Sequence, residues 1–359
     1  YTNKVQGVDK YSGQNPAFVA PVFEQFGLEE TLQFFKELGI YPKERNGGYY
    51  PQSEQATAIR DVLLMELKKQ NVGVVCGWGI RGIEKTAKGF TFHTKGGDFY
   101  ATKCIMATGG KTLKKSGSDG SGFLYLESLG HHIIDLVPGL IGLKGKQSFF
   151  ADIAGIRADV KVDLYIESTH VCSEQGELQL TNYGISGIPV FQLSRVAARA
   201  LSEQKKVYAT LNFVPFWEKE QCLTYFKERF KKADEKHIGE ALIGFFPEKL
   251  IPVLLEESHI KATKYANRLQ TEELERFIDT VQGLRVDITD WNTFDTAQVT
   301  AGGVDTDEID AETMESKLCP GLYFAGEMVD IDGICGGYNL QWAWSSGAVA
   351  GIHVARELS

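Results

Sequence analysis

The chain of 359 residues exceeds one ordinary domain, and its 43% hydrophobic and 24% charged residues are typical of a globular protein with two or three domains. The net charge of −9 argues against nucleic acid or an anionic membrane as a partner, and no apolar run approaches the length of a membrane span. The six cysteines lie far apart without a Cys-x-x-Cys pair, and the histidines lack metal-ligand spacing; both patterns argue against a metal site, and the cysteines favour a cytoplasmic location.

The first part of the chain, residues 1–139, is predicted to be an α/β region. Helical spacing runs from Phe26 to Leu38, and a second helix is expected from about Gln55 to Gln70, with Ser53 as its cap. A short apolar strand is expected at Val72 to Cys76 and another from Phe99 to Met106.

The segment from Gly77 to Gly82 fits the pattern Gly-x-Gly-x-x-Gly letter for letter. This motif binds a dinucleotide only where it lies between a strand and a helix. Here the residues that follow alternate between apolar and polar, with turn formers at Lys88-Gly89 and Gly96-Gly97. We therefore predict a β-hairpin meander in place of a dinucleotide site.

Three small residues, Thr108, Gly109 and Gly110, follow the strand that is predicted to end at Met106. Open α/β sheets bind ligands beyond the carboxyl ends of their strands, and small residues leave room there. A simple tight turn is the alternative interpretation. We take these three residues as candidate cofactor contacts.

From about residue 140 the sequence becomes β-rich and then helical. Val160 to Tyr165 alternates as a strand does, and helices are expected at Glu218 to Lys232 and Glu272 to Gln282. Near Gln298 the sequence again becomes rich in small residues, as it is at 108–110. We predict an inserted, β-barrel-like and helical substrate domain at 140–297, within a nucleotide-binding domain formed by 1–139 and 298–359.

The last apolar strand is followed by carboxylates and by a glycine pair that opens a long helix rich in small residues. Glycines allow a close approach to a ligand, and the free N–H groups of a helix start attract negative charge, which suits a flavin that becomes anionic on reduction. Helix capping by Asn339 and solvated loop carboxylates are the alternatives, and Cys335 is expected to be a packing group. The candidate cofactor contacts here are Gly326, Glu327, Asp330, Gly336, Gly337, Tyr338, Asn339, Leu340 and Gln341.

Thr300 to Val304, Thr313 to Lys317 and Gly321 to Gly351 resemble the C-terminal signature of a family of bacterial FAD-dependent flavoproteins that includes aminoacetone oxidase and a bile-acid dehydro-reductase. The resemblance extends back to Ala107 to Gly110 and to Tyr183 to Gly187, in the same order along the chain. It implies an α/β fold, a two-dinucleotide-binding domain of the glutathione-reductase-like type interrupted by the inserted domain. The implied cofactor is FAD, with NADH or NADPH as an open second cofactor.

Such a domain normally begins with a strand, a Gly-x-Gly-x-x-Gly turn and a helix, and none of these opens this sequence. Thr2-Asn3 resembles the end of a stretch that follows that unit in the family, so we expect the sequence to lack the N-terminal βαβ unit. The resemblance also implies a backbone contact from Ile80 to FAD. For the substrate side it points to loops that could equally be simple turns, with the candidates Gln52, Ser53, Tyr183 and Ser186.

The resemblance allows two enzymatic functions, and the sequence identifies no catalytic residue for either. The first is oxidation of a small primary amine such as aminoacetone by oxygen, to methylglyoxal, ammonia and hydrogen peroxide. The second is reduction of a conjugated carbon–carbon double bond by NADH or NADPH. The absence of a second Gly-x-Gly-x-x-Gly in a strand–helix setting tilts our expectation toward the oxidase. A third alternative, from another class, is a flavin-binding protein without turnover. The oligomeric state stays open.

Overall fold

A computed structural model describes all residues, 1–359, and divides the chain into two units. Unit 1 consists of Tyr1–Val137 and Gln298–Ser359, and unit 2 of Pro138–Ala297. The helices are α1 (Val19–Gln25), α2 (Leu28–Glu37), α3 (Ala56–Lys69), α4 (Ser121–Ser128), α5 (Phe150–Ile153), α6 (Ile188–Ser202), α7 (Lys219–Lys231), α8 (Ile238–Leu242), α9 (Leu250–Glu257), α10 (Thr271–Gly283) and α11 (Tyr338–Leu358). None of them is long and apolar enough to cross a membrane.

The strands are short in unit 1 and longer in unit 2. They are β1 (Thr2–Asn3), β2 (Tyr11–Ser12), β3 (Pro42–Arg45), β4 (Gly48–Pro51), β5 (Ile80–Thr86), β6 (Gly89–Thr94), β7 (Gly97–Ala101), β8 (Cys104–Met106), β9 (Ile133–Gly139), β10 (Leu143–Gly145), β11 (Arg157–Ile166), β12 (Thr169–Thr181), β13 (Gly184–Gly187), β14 (Val207–Asn212), β15 (Leu284–Trp291), β16 (Val299–Val304), β17 (Leu322–Phe324) and β18 (Asp332–Gly333).

Unit 1 is organised around α11 and the parallel pair β8 and β17. Phe324 and Trp342 lie in its largest apolar core, where α11 packs against α1 and β17. A smaller core joins Tyr1, Phe35 and Ile40, and the ring of Trp344 on α11 packs edge-on against Phe35 at 5.1 Å. Helix α11 is therefore buried on more than one side, and its small residues Ser345, Ser346 and Ala350 are fully buried.

Unit 2 contains a closed barrel of antiparallel strands in the order β10-β13-β12-β11-β14-β15. Alternate residues of β11, Val160, Val162 and Leu164, are fully buried, as expected for a strand with one face toward a barrel interior. Helices α7 to α10 share a core with the barrel, in which Phe226 and Phe277 are fully buried.

The predicted meander after Gly77 is confirmed, because β5, β6 and β7 form an antiparallel three-stranded sheet. The expected strand from Phe99 to Met106 is instead two strands. β7 pairs with β6, whereas β8 pairs with β17, so the chain changes partner between them.

Two local predictions are wrong. No strand forms at Val72 to Cys76, where Val72, Val74 and Val75 are each more than half exposed. An apolar run becomes a strand only where another strand pairs with it, and none does here. Helix α3 begins after Gln55, and the Ser53 hydroxyl accepts from the Gln55 N–H, ahead of the helix and not within its first turn.

Candidate functional site

The candidate site in unit 1 begins at the carboxyl ends of β8 and β17. The two strands run parallel, with Leu322 opposite Cys104 and Phe324 opposite Met106. The Ala325 N–H donates to the Met106 carbonyl at 3.0 Å, which keeps the chains together beyond the last pair. Residues 107–110 and 325–327 therefore leave the sheet side by side. We call these two segments the strand-end edge.

Glu327 ties this edge to a third segment. Its carboxylate accepts hydrogen bonds from the N–H groups of Gly110, at 3.2 Å, and Thr300. The Thr300 hydroxyl in turn accepts from the Lys111 N–H at 2.8 Å. A Cβ at Gly110 would lie 2.2 Å from the Thr300 hydroxyl, so only glycine fits. Glu327 thus acts within the protein as a positioning residue.

The turn after β8 is braced by its own side chains. The Thr108 hydroxyl lies 2.8 Å from the sulfur of Met328, and the Ser118 hydroxyl donates to the Gly110 carbonyl at 3.0 Å. Gly109 has a φ of +72°, in the left-handed region that favours glycine. The predicted contacts Thr108, Gly109 and Gly110 therefore form a defined turn at the strand-end edge.

Gly326 is held by α11. Its N–H donates to the Ser346 hydroxyl at 2.8 Å, and its carbonyl accepts from the Trp342 indole N–H at 2.9 Å. Both side chains are almost completely buried. Helix α11 thereby fixes the backbone at the end of β17.

Asp330 lies deeper than the sequence suggests. It is only 1% exposed, its Oδ2 accepts from the Gln14 N–H at 2.8 Å, and its own N–H donates to the Val304 carbonyl at 3.0 Å. A loop carboxylate in solvent, which was one alternative, is excluded by this burial.

The start of α11 has no side-chain cap. Gly337, at the N-cap, has a φ of +96°, and the Asn339 carboxamide is used elsewhere: it accepts from the Gly333 N–H at 2.8 Å and donates to the Gly333 carbonyl at 2.7 Å. Asn339 therefore closes the loop before the helix and does not cap it. The N-cap residue Gly337 therefore offers the first-turn N–H groups of α11 no side-chain acceptor.

The chain start fills the space beside the glycine pair. A Cβ at Gly337 would lie 2.9 Å from the Thr2 carbonyl oxygen, and the Asn3 carboxamide donates to the Gly336 carbonyl at 3.0 Å. The sequence suggested that these glycines make room for a ligand. In the structure they make room for β1, which lies against the helix start.

Gln341 has a role that the sequence did not reveal. Its side chain is fully buried; Nε2 donates to the hydroxyls of Thr31 and Ser345, each at 2.8 Å, and Oε1 accepts from the Thr2 hydroxyl. It thus links α11 to α2 and β1 and sets the position of the helix start.

Replacing Gln341 with leucine should lower the free energy of unfolding by about 2 to 4 kcal/mol. Similar volume remains, but the buried Thr2 hydroxyl loses the acceptor of its proton, and the Thr31 hydroxyl keeps only its bond to the Gly27 carbonyl. Urea unfolding followed by circular dichroism measures this. Leu340→Ala is the control, since Leu340 is 47% exposed and should change stability by less than about 0.5 kcal/mol. Equal stability of the two variants would contradict the linking role.

The other predicted contacts are placed as follows. Tyr338 is buried, and burial raises the pKa of its phenol. Burial also raises the pKa of the Cys335 thiol, so this sulfur stays protonated, as a packing group does. The Ile80 carbonyl accepts from the Tyr125 hydroxyl at 2.6 Å. Gln52 and Ser53 are exposed after β4, while Tyr183 and Ser186 belong to unit 2.

A buried polar network around His131 lies in unit 1, and the sequence showed no sign of it beyond the lack of metal-ligand spacing among the histidines. The His131 side chain is fully buried, with Nδ1 2.8 Å from Glu308 Oε2 and Nε2 2.9 Å from the Ser316 hydroxyl. That hydroxyl already accepts from the N–H groups of Leu318 and Cys319, so its proton points to Nε2 and the ring proton to Glu308. Glu308 lies 177 residues from His131, so no local pattern could have signalled the pair.

The chain matches the family described as HI0933-like protein Rossmann domain over residues 1–353. The chain belongs to this family. The resemblance inferred from the motifs is thereby confirmed, together with a Rossmann-type α/β domain.

Among curated proteins, the chain is 43% identical to a 3-dehydro-bile acid delta(4,6)-reductase of Clostridium scindens, over 98% of this chain and 86% of the relative. It is 28% identical to a ribosomal RNA dihydrouridine synthase of Escherichia coli, over 96% of this chain and 84% of the relative. A protein of the same name from Haemophilus influenzae is 26% identical to the chain, over 99% of this chain and 87% of the relative.

Proposed function

We propose that this protein is an FAD-dependent reductase that uses NADH or NADPH to saturate a conjugated carbon–carbon double bond in a small molecule. The observation that carries the proposal is the 43% identity to a delta(4,6)-reductase over 98% of the chain, which covers both units. The dihydrouridine synthases support the same reaction class, because dihydrouridine is uridine with its ring double bond saturated.

The residues of unit 1 fit a flavin. The N–H groups at the start of α11 have no side-chain cap and suit the electron-rich edge of a flavin ring, which gains charge on reduction. A flavin bound at this site would supply hydride transfer from the reduced nicotinamide to the β-carbon of the conjugated system, and a proton from water would complete the saturation at the α-carbon.

The protein's own residues would supply positioning. Gln341 and Asn339 hold the start of α11, and Glu327 holds the turn at Gly110 against Thr300. The backbone N–H groups of the helix start are the donors that we propose for the flavin, while these side chains keep the donors in place. Because the side chains of Gln341, Asn339 and Glu327 are already hydrogen-bonded within the protein, they need not rearrange when a ligand binds.

Electrostatics favour a small-molecule substrate over RNA, because a net charge of −9 opposes binding to a phosphate backbone. Aminoacetone oxidation, the first expectation from the sequence, finds no support in the relatives named above, of which one is named a reductase and two are named dihydrouridine synthases. The relatives also give no support to the alternative of a protein that binds flavin without turnover.

The test is turnover by the flavin-loaded protein without oxygen, with NADPH or NADH and a steroid 4-en-3-one. We expect oxidation of the nicotinamide that depends on the enone, and a product that has gained two hydrogen atoms by mass spectrometry. A matched steroid without the conjugated double bond is the control substrate. Hydrogen peroxide from aminoacetone in air, without a nicotinamide and without enone reduction, would contradict the proposal in favour of the oxidase.

A further inference from the structure

A cavity of about 740 Å³ lies beside α7 in unit 2, within the size range of small-molecule sites. Tyr225, Arg229 and Lys232 line it from α7 and its end, at the spacing of one helix face, and Lys236 follows them. We propose that this cavity binds an amphipathic organic anion. The proposal concerns a second site and does not depend on the reductase reaction.

Arg229 is the fixed element of this cavity. Its Nε donates to the Ala241 carbonyl at 2.7 Å and its Nη2 to the Ile243 carbonyl at 3.2 Å, at the end of α8. These bonds orient the half-buried guanidinium group without supplying a full negative charge. The remaining guanidinium donors suit the oxygens of a carboxylate or sulfonate.

The cavity carries an excess of positive charge. Arg229, Lys232 and Lys236 contribute three cations, and Glu228 and Glu240 two carboxylates. The Glu240 carboxylate is occupied, because its Oε2 accepts from the His237 N–H at 2.7 Å in a helix cap. Like charges at i, i+3 spacing destabilise a helix, so a bound anion would relieve the repulsion between Arg229 and Lys232.

An apolar wall lies next to these cations. The Tyr225 ring is held by Trp217, at 4.7 Å between centroids, and by Phe245, at 5.4 Å. Ile243, also at the cavity, is 57% exposed. A ligand with a charged group for Arg229 and an apolar body for Tyr225 and Ile243 would cover this surface and complete the charge balance.

The test uses 1-anilinonaphthalene-8-sulfonate as fluorescent probe and laurate as competitor. The variant Lys232→Ala/Lys236→Ala removes two cavity cations and should weaken laurate binding about tenfold, since each lost charge-assisted contact costs affinity. The control Lys227→Ala/Lys231→Ala removes two exposed lysines of α7 that do not line the cavity and should leave the affinity unchanged. Circular dichroism confirms that both variants are folded.

The charge requirement is tested with methyl laurate, which has the same chain without the anion. We expect methyl laurate to displace the probe much less effectively than laurate from the native protein. Equal displacement by the two compounds, equal weakening in both double variants, or no saturable binding of the probe would each overturn the proposal.

Discussion

The variant Gly337→Val should have a free energy of unfolding about 2 to 4 kcal/mol lower than the native protein and should retain little flavin. The valine must adopt a left-handed φ, and its side chain would collide with the Thr2 backbone. The Cβ would lie 2.9 Å from the Thr2 carbonyl oxygen, so either β1 or the start of α11 must shift. Both shifts displace the N–H groups that we propose as flavin donors. Urea unfolding and visible absorbance of the purified protein measure the two effects.

Gly347→Ala is the matched control in the same helix. Gly347 has helical backbone, and nothing lies within 4 Å of the position of an added Cβ. Alanine favours a helix over glycine by about 1 kcal/mol, so this variant should be as stable as the native protein or more so, with full flavin content. If Gly337→Val behaved in the same way, the close approach of β1 to α11 would be refuted.

The second large effect is expected from Ser316→Ala. This change removes the acceptor of the Leu318 and Cys319 N–H groups and the donor to His131 Nε2, of which the contacts with Cys319 and His131 are buried. Leaving such groups unsatisfied costs about 1 to 3 kcal/mol each, with partial relaxation, and we expect a total loss of about 2 to 4 kcal/mol. Thermal and urea unfolding of the variant measure the loss.

Ser128→Ala is the control for this serine. Its hydroxyl donates to the Tyr125 carbonyl at 2.6 Å on the exposed side of α4, where water can replace it. We expect the free energy of unfolding of this variant to change by less than about 0.5 kcal/mol. A similarly small change for Ser316→Ala would mean that the His131 network contributes no net stability.

Helices were predictable wherever the pattern was local. α7 and α10 lie within one residue of the predicted ends, because amphipathic spacing and helix caps are both encoded in neighbouring residues. The meander of β5 to β7 was predictable for the same reason, since its turn residues lie between short alternating runs.

The features that the sequence did not predict all depend on contacts between distant parts of the chain. Val72 to Cys76 has the composition of a strand and no strand beside it. The sequence can mark Gly337 as unusual, yet only the fold shows that Thr2 is the reason. Gln341 and His131 find their partners on elements that are far away in the sequence, so their roles as linking residues emerge only from tertiary contacts.

We infer that the strand-end edge and the start of α11 hold a flavin. The most direct measurement is a titration of FAD followed by its fluorescence, with the native protein and Gly337→Val in parallel. We predict saturable quenching at one FAD per chain for the native protein and strongly weakened binding for the variant. Unquenched FAD with the native protein, or equal affinity in both, would contradict the claim.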